Sequence, residues 1–117
     1  MKFAAIYAIC VGALMLVQWV FFLLTGNVPE LQSAPWSIGF HLAAEVLTAI
    51  MLIISGMMLV KSHPLGKQVF LLSVGMVVYA MVNSAGYFAQ SGDWVFVVMF
   101  GVLLVLAGVS VYQVLVP

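Results

Sequence analysis

The chain has 117 residues, 67% of them hydrophobic and 5% charged, with three lysines balancing three acids for zero net charge. A water-soluble domain carries roughly a quarter charged residues, and a surface this poor in charge does not stay dispersed in water. No basic patch exists to neutralise phosphates, which argues against a nucleic-acid partner, and the single Cys10 excludes an internal disulfide or a thiol redox pair within one chain. The composition predicts a membrane-embedded protein.

The first apolar run is Phe3–Leu24. Lys2 followed by apolar residues resembles a signal peptide, but the run is longer than an ordinary h-region and no A-x-A site follows it. It is read as a retained span. The segment "TGNVPELQSAPWS" then breaks the pattern with Gly, Pro and polar residues. The second run, Ile38–Val60, holds His41 and Glu45 near its start, and "KSHPLGK" ends it. The third run is Gln68–Ala89, and "QSGD" separates it from the fourth, Trp94–Val116. Each run is about 22 residues long, enough for the ~20 that cross a ~30 Å hydrocarbon core at 1.5 Å per residue.

Runs this long and continuous fit alternating β-barrel strands poorly. Short connections place consecutive helices side by side and antiparallel. The expected fold is an all-α integral membrane protein, an antiparallel up-and-down bundle of four transmembrane helices, forming one domain over residues 1–117.

The lysines orient it. Lys2, Lys61 and Lys67 fall on one side, while the first and third loops carry only Glu30 and Asp93. The positive-inside rule puts both termini and the middle loop in the cytoplasm, in a bacterial or archaeal inner membrane. Trp19, Trp36 and Trp94 fall near the outer interface, with Tyr7 and Tyr112 toward the inner one, as amphipathic rings prefer.

Depth makes the remaining polar residues informative. Gln18, Glu45 and Asn83 each sit ~9–10 Å below the outer hydrocarbon boundary, counting 1.5 Å per residue. His41 and Tyr87 lie one turn nearer the outside. In the second span His41, Glu45, Thr48 and Ser55 form one helical stripe. Equivalent stripes are Cys10, Leu14, Gln18, Phe21 and Thr25 in the first span, and Ser73, Met76, Ala80, Asn83 (or Ser84), Tyr87 and Gln90 in the third. The fourth offers Gly101 and Gly108, with Tyr112 beyond them, read as packing or as room for something bulky.

A carboxylate facing lipid near mid-membrane is expensive, so Glu45 should turn inward and there pair, take up a proton or meet water. The expected partner is His41 or Asn83. The expected site is an outward-biased polar pocket of Gln18, His41, Glu45, Asn83 and Tyr87, closed below by Leu52, Met76 and Leu104. Each residue also has a plainer role. Gln18, Asn83, Thr48 and Ser84 serve equally as interhelical hydrogen-bonding glue, at ~0.6–2 kcal/mol each. Tyr87 serves as an interface anchor, and Met51, Met57 and Met58 as core filling.

Three functions follow. The leading one is a module that binds a small molecule or cation, as part of transport or sensing. Four spans are slender for alternating access, and no convincing internal repeat supports it, so transport would call for a homo-oligomer or a membrane-protein partner. The second is an accessory or assembly subunit of a membrane complex. The third is an intramembrane enzyme on a lipid-soluble substrate, with His41 and Glu45 as acid and base and Asn83 or Tyr87 stabilising negative charge. Catalytic zinc asks for three protein ligands, and only one histidine is membrane-buried, so neither metal nor bis-histidine haem is expected. No cofactor is expected either.

Overall fold

The structure is a computed structural model, and it describes residues 1–116. Pro117, part of the terminus expected in the cytoplasm, lies outside the described residues. Five helices follow one another: α1 (Lys2–Leu24), α2 (Glu30–Ser33), α3 (Pro35–Val60), α4 (Gly66–Gln90) and α5 (Trp94–Leu115). The described residues contain no strand. Four of the helices are long and apolar enough to cross a membrane. Their ends agree with the runs read from sequence to within three residues. The single turn of α2, started by Pro29 and Glu30 inside the first loop, has no counterpart in that reading.

The ends of three long helices share one chemistry. After α1 the chain turns at Gly26 (φ 71°) and after α4 at Gly92 (φ 78°), both left-handed positions that glycine adopts without strain. Asn27 N–H then donates to Phe22 O at 3.0 Å and Asp93 N–H to Phe88 O at 2.9 Å, closing orphan carbonyls in Schellman fashion. After α3 the same pattern forms, His63 N–H to Met58 O at 2.9 Å, around Ser62 (φ 53°). These stops keep the long helices separate and the connections short.

Packing runs from neighbour to neighbour: α1 on α3, α3 on α4, α4 on α5, and α5 back on α1. The closest approach is between α1 and α3. A Cβ on Gly12 would lie 2.8 Å from Ala49 O, and one on Gly56 would lie 2.9 Å from Ala5 O. Backbones meet there because small residues let them, the usual way helices associate where lipid removes a hydrophobic drive. Between α1 and α5, Tyr7 OH donates to Leu103 O at 2.9 Å. Gln113 Oε1 accepts from Ala4 N–H at 2.9 Å, satisfying a first-turn donor that α1 itself leaves orphaned.

The buried serine and threonine hydroxyls do not bridge helices. Thr48 donates to Ala44 O, Ser55 to Leu52 O, Ser73 to Val69 O and Ser110 to Leu106 O, each within its own helix. The expectation of Thr48 as interhelical glue is corrected accordingly. Outward faces are apolar over their whole length, with Val17, Leu72, Val95 and Val105 exposed. Continuous apolar surface on this scale exceeds what a soluble monomer shows.

The inward stripes differ from expectation on α1 and α5, while α4 keeps its expected Ser73, Ala80, Asn83 and Tyr87 inward. On α1 the buried line is Ala4, Ala8, Val11 and the partly buried Met15, while Cys10, Leu14 and Phe21 are exposed. Beside that α4 line Phe70, Val77 and Met81 are buried too. On α5 the buried line is Phe100, Ala107, Ser110 and Val114, whereas Gly101, Gly108 and Tyr112 face outward. The α3 stripe of Glu45, Thr48 and Ser55 stands as read.

Candidate functional site

Two ends can be told apart by charge. Lys2, Lys61 and Lys67 sit at one end, where α1 and α4 begin and α3 stops. At the other, the acid end, α1 and α4 finish and α3 and α5 begin, with Glu30 and Asp93 in the connections. Here the four long helices surround a cavity of about 840 Å³. That lies inside the ~300–1,000 Å³ typical of small-molecule sites.

Gln18, His41, Glu45, Asn83 and Tyr87 all line this cavity. Each comes from a helix face that turns inward near the acid end: Gln18 from α1, His41 and Glu45 from α3, Asn83 and Tyr87 from α4. Ser84, beside Asn83, lines it too.

Glu45 is the deepest acid. It is 6% exposed, and His41 Nε2 stands 3.4 Å from its Oε1, one helical turn nearer the acid end. A saturated charge-assisted hydrogen bond would measure about 2.7–2.9 Å, so the contact leaves acceptor capacity on the carboxylate. Among the described residues no buried side-chain polar atom lacks a partner while shut off from solvent. The Trp19 indole N–H is a further donor to the Glu45 carboxylate, which also lines the cavity. No hydrogen bond joins Glu45 to Asn83 among the described residues, so of the two expected partners His41 is the one in contact. The His41 side chain is about one-third exposed, at 34%. Trp19 packs edge-on against its ring at 5.7 Å between centroids.

At the mouth, Tyr87 OH donates to Glu30 Oε1 at 2.9 Å. This bond ties α2 to α4 across the opening, and Val28, buried beneath the first loop, lines the cavity with it. Tyr87 therefore does more than anchor at an interface. Asn83 is exposed while lining the cavity, so the space is not sealed.

Sequence reasoning missed the walls. Trp19, placed at the interface by depth, faces the cavity. Phe88 stacks on Phe96 at 4.6 Å and on Phe100 at 5.9 Å, and these rings form the α4–α5 side. The usable signal was the line Phe96, Phe100, Leu103, Ala107, Ser110, Val114, which steps by four and three along α5.

The floor is also different from expectation. Val11, Met15, Val77, Met81 and Leu103 line the lower cavity, while Leu52, Met76 and Leu104 do not. Leu52 is fully buried beyond it, as are Ala8 and Phe70. The floor is apolar, as expected, but built from other side chains. Among the described residues no group of three or more His, Cys, Asp or Glu side chains is placed to hold a metal ion. His63 lies at the lysine end, where its Nδ1 accepts from Leu65 N–H at 3.1 Å.

One protein-family profile, described as a domain of unknown function, DUF8058, matches residues 1–117. The chain belongs to the DUF8058 family. Comparison with curated proteins and with solved structures gave no match. The family description names no function, and the functional reading rests on the cavity's residues.

Proposed function

We propose that this DUF8058 member is an inner-membrane protein of four antiparallel spans with both termini cytoplasmic, whose outer half binds a small molecule. The orientation rests on the lysines, which all lie at the end opposite Glu30 and Asp93. The acid end then faces outward, and the cavity is reached from outside or laterally from the outer leaflet.

One observation carries the binding reading. A cavity of about 840 Å³ gathers Gln18, His41, Glu45, Asn83 and Tyr87 above an apolar floor. Large volume, mostly apolar walls and a few convergent polar groups are the usual marks of a ligand site. The apolar side chains beneath it support a dead-end site in the resting state, not a pore. A transport or sensing role would then need a second conformation or a partner subunit.

The acid–base reading draws on the same His41–Glu45 pair. Among the described residues no hydroxyl or thiol is hydrogen-bonded to either side chain, so a nucleophilic mechanism has no support and proton transfer alone is left. Binding is the reading the geometry favours. Native mass spectrometry of the protein released from detergent tests it. A bound small molecule lost on filling the cavity with Ala80→Trp is the expected result; an unliganded spectrum that also stays unchanged on adding small amphiphiles would contradict it.

A further inference from the structure

The charge of the chain is distributed in one way around this cavity. All three acids, Glu30, Glu45 and Asp93, line it. None of the three lysines does, and the chain has no arginine. The sole basic side chain present is His41, whose Nε2 lies 3.4 Å from Glu45 Oε1. The carboxylate is nine-tenths buried, has His41 and Trp19 as its polar neighbours, and lines the cavity. Low-dielectric walls focus the field of such acids into the space between them.

The walls select for more than charge. Trp19, Phe22, Phe88, Phe96 and Phe100 present rings to the same space. Aromatic faces carry negative potential and attract cations, most strongly when water is excluded. The volume is far larger than a metal ion, and no metal-binding cluster exists among the described residues. An anion would meet three carboxylates with no lysine to offset them.

Resting on the binding reading above, we infer that the cavity takes a lipophilic organic cation, its charge held at Glu45 and its apolar body against the aromatic walls. The rim acids Glu30 and Asp93 draw the cation in, and Glu45 holds it.

Three probes of one shape separate the terms: tetraphenylphosphonium, tetraphenylborate and neutral triphenylphosphine oxide, in equilibrium dialysis against the purified full-length protein. Binding of the cation at least tenfold tighter than of the other two is expected. Glu45→Gln should weaken the cation at least tenfold and leave the neutral probe unchanged. Asp93→Asn, at the solvent-exposed rim, should slow cation association and flatten its salt dependence, a readout independent of how Glu45→Gln folds. Equal binding of all three probes, or cation binding indifferent to both substitutions, overturns the inference while leaving a small-molecule site in place. Binding of none of the three overturns both.

Discussion

Tyr87 on α4 donates a 2.9 Å hydrogen bond to Glu30 on α2, across 57 residues of sequence and across the mouth of the cavity. Both side chains lie at the rim and solvent competes for the bond, so it contributes no more than about 1 kcal/mol. Its effect is positional, since it holds the first loop over the opening. Tyr87→Phe should leave thermal stability in detergent within that amount and speed thiol labelling of a cysteine placed at Asn83 several-fold. Unchanged labelling would show that the first loop does not restrict entry.

The α1–α3 seam makes a sharper prediction. Gly12 and Gly56 each face a backbone carbonyl at less than 3 Å from where a Cβ would stand, with the Ile53 and Ile9 side chains closer still; the isoleucines can shift but the carbonyls cannot. Gly12→Val and Gly56→Val should separate the helices and cost about 1–3 kcal/mol or more through overpacking. Gly101→Ala and Gly108→Ala, where nothing lies within 4 Å, should be neutral or stabilise by up to about 1 kcal/mol through helix propensity. Thermal unfolding in one detergent ranks the four. Equal losses at all of them would mean that α5 has a partner surface along its glycines.

The His41–Glu45 pair should respond unequally to truncation. Glu45→Leu removes a buried carboxylate and leaves a His41 that is one-third exposed and can stay wet, so stability should change by less than about 1 kcal/mol. His41→Ala strips the deeper carboxylate of one of its two polar neighbours, leaving Trp19, and should cost about 1–3 kcal/mol. A reversed order in thermal unfolding would show that Glu45 is held by other groups.

Much of this was legible in the sequence, and the reason differs by feature. Span lengths were readable because apolar runs end at Gly, Pro and charge, and those same residues form the helix stops at Gly26 and Gly92. The α3 face was readable because His41, Glu45, Thr48 and Ser55 contrast with their apolar neighbours. Facing failed on α1 and α5, which are apolar all round, so hydrophobic periodicity has little to separate inside from outside. On α1 the informative residues were the small ones, Ala4, Ala5, Ala8 and Gly12, which mark close approach. On α5 the glycines misled, since Gly101 and Gly108 point outward and nothing in the structure explains their exposure. The aromatic walls escaped because Phe88, Phe96 and Phe100 belong to two helices and meet only after folding.

Orientation is a prediction from charge alone. Reporter fusions after Lys2 and within Lys61–Lys67 should read as cytoplasmic, and fusions at Gln32 as extracytoplasmic. A cytoplasmic signal at Gln32 would place the cavity in the opposite leaflet.

The most direct measurement is the accessibility of the cavity itself, with a cysteine at Asn83 and the native Cys10 replaced by serine, since Cys10 is exposed and would react. A membrane-impermeant thiol reagent is applied separately from each face of sealed vesicles. The account predicts labelling from the extracytoplasmic face and none from the cytoplasmic face, because the cavity opens at the acid end and Val11, Met15, Val77, Met81 and Leu103 close its floor. Equal labelling from both faces would reveal a channel, and no labelling from either, in membrane and detergent alike, would reveal a packed cluster in place of a cavity.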